Sequence, residues 1–178
     1  MDPFLSLVSA IIQIVLGILF GCFSIYLGLR FFDKLTMGIN ELEELKKGNV
    51  AIAILLAFLV LSVGIMLLGV VRNILDMFSE EFISPAMFII TFIMAIVKIV
   101  IGIILISLII YVSIRIYDSL TPTINEVKEL KRGNVAVAIV TGGIILVISL
   151  LVSVAVENFV EAEIFSPKFF GKLIGIIP

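Results

Sequence analysis

"ELEELKKGNVAIAI" at residues 41–54 and "EVKELKRGNVAVAI" at residues 126–139 say nearly the same thing 85 positions apart. Each marks the point where a charged stretch turns abruptly apolar. Extended back to Arg30 and Arg115, the match needs no gap, and 16 of 25 positions are identical. The chain therefore reads as two copies of one unit.

Composition says what surrounds that unit. Of 178 residues, 62% are hydrophobic and the mean hydropathy is +1.34. Soluble domains run at roughly 45–50% apolar residues, and a fold of this size has no interior large enough for the excess. Residues 50–71 and 135–156 are two stretches of 22 without a charge. At about 1.5 Å per residue, each crosses a hydrocarbon core of roughly 30 Å as a helix. Longer apolar stretches at 3–32 and 85–117 precede them. None alternates as a membrane strand would. The expected fold is an all-α integral membrane protein with four transmembrane helices, arranged as two parallel two-helix repeats with short interfacial helices between the spans of each. The units are 1–82, 83–165 and a C-terminal amphipathic stub at 166–178, on the membrane surface. Two spans return the chain to its starting side, so both copies point the same way, as in parallel-repeat transporters.

Punctuation supports these bounds. Asp2, Ser84 and Ser166 each precede a Pro and recur every 82 residues. A capping oxygen followed by a residue without an amide is a helix start. In the connectors, Ile39, Leu42 and Leu45 recur at helical spacing, as do Ile124, Val127 and Leu130. Gly48 and Gly133 suit the left-handed residue that ends a helix, and Asn49 and Asn134 suit the cap that starts the next. Lys and Arg concentrate in the two connectors, so the positive-inside rule puts both in the cytoplasm and both termini outside the plasma (inner) membrane. The first residues lack the cationic start of a signal peptide, so the first span is expected to be retained. Abundant Ile with one Gln and no His is in keeping with a thermophilic source.

The tandem "ELKKGNVAIAI" and "ELKRGNVAVAI" resemble domain-of-unknown-function family 350, the YjfL-type inner-membrane proteins. The resemblance covers residues 30–71 and 115–156, and the long spans by hydropathy alone. It implies a multi-pass prokaryotic membrane protein with two copies of the unit. It brings no activity, ligand or catalytic residue.

Several residues stand out as candidate sites. Lys98 lies near the middle of the third apolar stretch, where a charge costs roughly 3 kcal/mol on insertion scales. The 85-residue offset pairs it with Gln13, the sole Gln, which suggests a midplane polar centre on the pseudo-two-fold axis. The alternatives are a packing amine bonded to backbone carbonyls and a cation held by an acidic partner protein. Gln13, Gly17, Gly21, Ser24 and Gly28 fall on one stripe, Lys98 and Gly102 begin its counterpart, and Ala53 and Ala57 match Ala138 and Gly142. Such small residues are expected at close helix contacts. Asn40, Glu41 and Glu44 repeat as Asn125, Glu126 and Glu129, read as a cytoplasmic polar face with ordinary pairs such as Glu43–Lys47. A net charge of −2 gives no reason to expect nucleic acid. One Cys and no His leave no expected metal or cofactor. Without a nucleophile–base arrangement or a phosphate loop, no enzyme is expected. The expected partners are the bilayer, further copies of the chain in a homo-oligomer, and another membrane or cytoplasmic protein. The function expected is an oligomeric channel or transporter component for a small ion or solute. The alternative is a non-transporting structural or regulatory subunit that recruits partners.

Overall fold

The computed structural model describes residues 3–35, 39–79, 85–120 and 125–175, and among them every regular element is a helix. Four are long: α1 (Pro3–Leu35), α3 (Val50–Ser79), α4 (Pro85–Leu120) and α6 (Val135–Glu161). All four are long and apolar enough to cross a membrane. Two short helices, α2 (Glu41–Lys46) and α5 (Glu126–Lys131), join the spans of each repeat. A 3-10 turn at Glu163–Phe165 leads into α7 (Pro167–Leu173), which packs against α4 with Gly171 buried. Ser166 caps α7, its hydroxyl accepting from the Phe169 amide at 3.1 Å. Asp2 and Ser84, the other two expected caps, lie outside the described residues.

Two helices run further than the uncharged stretches suggested. α3 continues past residue 71 through Arg72, Asn73 and Asp76, and α6 past 156 through Glu157 and Glu161. These segments contain neither Gly nor Pro, and polar residues of this kind propagate a helix that has already started.

The packing is a three-helix core with one peripheral helix. α3 and α6 pack most extensively, α4 packs on both, and α1 lies against α3 and α4. Only 6% of the α1 span is buried within the chain, against 39%, 44% and 28% for α3, α4 and α6. α3 and α6 run parallel. Asn49 at the start of α3 reaches the end of α5 just before α6, Phe58 packs on Gly142, and Glu157 packs on Gly69. Parallel neighbours at equivalent places are what two parallel repeats require. The internal likeness also reaches the span ends: Arg30 donates to Tyr26 at 3.3 Å and Arg115 to Tyr111 at 3.1 Å, each guanidinium lying over its ring.

Small residues are used selectively. A Cβ at Gly102 would come within 3.0 Å of Val70, and one at Gly142 within 2.5–2.8 Å of Phe58. Ala138 is fully buried, Ala53 half-buried, and Gly17 sits at ordinary contact distance from Leu75. Ala57, however, is exposed and Gly21 meets open space, so neither marks a close approach within the chain. The buried face of α3 carries Ile52, Leu55, Leu59 and Val63, to one side of Ala53 and Ala57.

Candidate functional site

Polar groups gather at both ends of the α3–α6 pair. At the connector end, the repeated motif builds the same device twice. Asn40 caps α2 by accepting from the Glu43 amide at 3.3 Å, and Asn125 caps α5 by accepting from the Lys128 amide at 2.9 Å. Each short helix then closes the same way. Asn49 N–H bonds the Glu44 carbonyl and Gly48 N–H the Leu45 carbonyl, with Gly48 at φ 77°. Asn134, Glu129, Gly133 and Leu130 repeat the pattern, with Gly133 at φ 83°. These paired bonds define a Schellman closure, which needs the left-handed conformation glycine accepts without strain.

Schellman geometry brings the residue two past the cap beside the third-last helical residue. Here those residues are Asn49 and Glu44, or Asn134 and Glu129. A polar pair replaces the usual hydrophobic contact: each Asn amide donates to its Glu carboxylate at 3.0 Å. The other carboxylate oxygen takes Lys47 at 2.7 Å or Arg132 at 2.8 Å. The Lys47 hydrogen bond, then that of Asn49, holds the Glu44 carboxyl below its ordinary pKa. For Glu129 the order is Asn134 and then Arg132. The opposite end of each Asn side chain caps the following span. Asn49 Oδ1 accepts from the Ala51 and Ile52 amides at 3.1 and 3.3 Å, and Asn134 Oδ1 from the Val137 amide at 3.3 Å.

The two hinges are not equivalent. Asn49 also donates across the repeat boundary to the Leu130 carbonyl at 3.0 Å. Among the described residues, Asn134 makes no counterpart bond to the first repeat. Several expectations change here. Lys47 pairs with Glu44 rather than Glu43, because the Schellman turn folds residue 47 back over the helix end. Glu126 is buried, and Glu44 and Glu129 are half-buried and bonded, so the connectors do not present a plain solvated polar face. The side chain of Glu41 lies outside the described residues.

At the other end, Lys98 is 3% exposed, and its ammonium donates to Asn73 Oδ1 of α3. The Glu161 carboxylate of α6 lies close enough to attract it. One turn before Asn73, Gly69 makes room for Glu157: a Cβ there would lie 2.9–3.0 Å from three atoms of that side chain. Lys98 of α4 thus lies beside the Asn73 amide of α3 and within the influence of the Glu161 carboxylate of α6. Asn73 and Glu161 come near Lys98 because α3 and α6 stay helical to Ser79 and Glu161. Gln13 is half-buried on peripheral α1, and the amide Lys98 meets is Asn73 instead. The 85-residue offset held a usable clue, since it matches Asn73 with Asn158 and Asp76 with Glu161. Among the described residues, no group of three or more His, Cys, Asp or Glu is placed to hold a metal ion.

The sequence model described as Domain of Unknown Function (DUF350) matches residues 6–109 and again 87–177. No curated protein and no solved structure matches the chain.

Proposed function

The chain belongs to the DUF350 family, and from that premise we propose that it is a non-enzymatic component of an oligomeric channel or transporter for a small ion or solute. The observation that carries this reading is Lys98, a charge buried at a three-helix junction with Asn73 as its hydrogen-bond partner. An ionisable group inside a span costs several kcal/mol more than an apolar one. An ionisable residue within a span is a functional-site hypothesis by default. Asn73 and Glu161 give the ammonium polar company that a passing ion or solute can exchange with. Four helices enclose little volume, so conduction calls for several copies, and the barely buried α1 is the helix available to face them. In this reading the membrane is the plasma (inner) membrane, with both hinges in the cytoplasm and both termini outside.

A second reading, a non-transporting subunit that recruits partners, draws on the same exposed α1. Flux separates the two. Purified protein in liposomes should pass small ions or solutes, and Lys98→Met should change that flux while the helical content stays. A protein that passes nothing, or passes it identically with Met at 98, is not this transporter.

A further inference from the structure

The two repeats cover their equivalent faces unequally. α4 packs on α3 of the preceding repeat: Lys98 donates to Asn73, and a Cβ at Gly102 would lie 3.7 Å from that of Val70. The 85-residue offset turns these pairs into Gln13 with Asn158 and Gly17 with Ala155. The chain does not make them within itself. α1 lies against α3 and α4 and makes no comparable contact with α6 among the described residues. Gly17 meets Leu75 instead, and Ala155 and Asn158 are exposed.

The same contrast runs along both helices. Ile99 and Ile103 of α4 are 1% and 2% exposed, whereas their equivalents Ile14 and Ile18 of α1 are 63% and 61% exposed. Met66 and Ile74 of α3 are 1% and 0% exposed, whereas Leu151 and Phe159 of α6 are 75% and 50% exposed. The contact of α3 with α6 leaves a matching remainder. Phe58 fills the notch at Gly142, but of the equivalent positions Gly143 meets open space and Ala57 is exposed. α7, the helix that follows α6, packs on α4 and leaves these residues open.

Apolar exposure alone names no partner in a membrane, because lipid tails are as apolar as the side chains they meet. The repeat does name one. Each chain carries both faces, α1 and α6, in the pattern that α4 and α3 join once inside it. We infer that α1 of a second copy packs on α6 of this one, repeating the α4–α3 contact from chain to chain, with Gly17 against Ala155 and Gln13 beside Asn158. The directions agree. Residues 98 and 102 of α4 meet 73 and 70 of α3, so those helices are antiparallel, as α1 and α6 are in copies inserted the same way. A contact between two different faces is heterologous, so copies add head to tail, into a ring where the rotation closes. This interface deepens the oligomeric part of the proposed function. Its test reads assembly rather than flux, so either can fail alone.

The test is disulfide cross-linking in membranes, on a Cys22→Ser background with copper phenanthroline as the oxidant. Cysteines join when their Cβ atoms lie about 3.5–4.5 Å apart, and the Gly102–Val70 spacing falls within that range. Gly17→Cys with Ala155→Cys in one chain should therefore give a ladder of covalently linked copies. Co-expressed as separate single variants, the same two changes should give dimers and nothing larger. A dimer from Gly17→Cys alone sets α1 against α1 and overturns the inference. So does a ladder no stronger than that of Gly17→Cys with Val100→Cys, an exposed position two residues before Gly102. Should the cysteine variants fail to fold, Leu151→Trp decides. Its side chain is already open within the chain, so helical content should hold while the mass of the detergent-extracted complex, read by light scattering, falls. A parent protein that is monomeric, or a Leu151→Trp complex of unchanged mass, overturns the inference equally.

Discussion

Replacing Asn49 should hurt more than replacing Asn134, although the sequence around the two is nearly identical. Both cap a span, and losing an Asn cap to Ala costs about 1 kcal/mol. Asn49 alone also ties the first hinge to the Leu130 carbonyl of the second repeat. A part-buried neutral hydrogen bond adds about 1 kcal/mol. Asn49→Ala should therefore cost about 2 kcal/mol and Asn134→Ala about 1 kcal/mol. For a chain of this size, each kcal/mol moves Tm by roughly 2–4 °C. Circular dichroism melts at 222 nm in one detergent should resolve the two. Asn→Asp makes the sharper comparison, because Asp caps as well as Asn yet has no amide to donate. If capping were the whole role, Asn49→Asp would match the parent protein. With the amide bonded to Glu44 and Leu130, it should melt lower. Equal losses for the two Ala variants, or an undisturbed Asn49→Asp, would refute the double role assigned to this side chain.

Glu44 and Glu129 have pKa values lowered in the folded state. A lowered folded pKa gives stability that is complete above the unfolded value of about 4.3 and is lost as pH falls through the folded one. Tm should therefore hold steady across neutral and mildly acidic pH and drop below that window; the Glu44→Gln, Glu129→Gln variant should show a shallower drop, and an identical acid profile contradicts the hinge chemistry. Gly142→Ala forces a Cβ against the Cβ and ring of Phe58 and should cost about 1–3 kcal/mol, whereas Gly21→Ala should cost nothing measurable; similar melts for both would mean the α3–α6 seam is looser than described. For orientation, Glu44→Cys on a Cys22→Ser background should resist an impermeant thiol reagent added outside intact cells, and ready labelling there reverses the topology.

Most of the architecture was legible because it rests on local patterns. Uncharged stretches of 22 residues, Ser–Pro and Asn caps, and Gly48 and Gly133 each carry their own physical reason within a few residues. The hinge was half legible. Recurrence pointed to Glu44 and Asn49, but their bond follows from Schellman geometry, which places residues five apart side by side. Reading Glu44 as one more solvated carboxylate missed that. The polar cluster was less legible. Ending α3 and α6 at their last uncharged residue removed Asn73, Glu157 and Glu161 from view, although α3 runs on through Ser79 and α6 through Glu161.

The pairing of Gln13 with Lys98 came from a different kind of inference, and its outcome says something about repeat proteins. An internal repeat establishes that two residues are equivalent, each standing in the same relation to its own half. Equivalence becomes contact only for residues on the helices that meet at the axis between the halves. Here α3 and α6 hold that axis, while α1 and α4 sit outside it in unequal places. α4 is drawn into the core against both axial helices, and α1 is left at the edge, so Lys98 is buried and Gln13 only half so. The same asymmetry lets Asn49, but not Asn134, bond across the boundary. A duplicated unit that packs unequally can keep its hinge twice, because each hinge is built within one copy. It can hold a buried charge once, because only one of the two equivalent positions meets an amide and the field of a carboxylate from its neighbours.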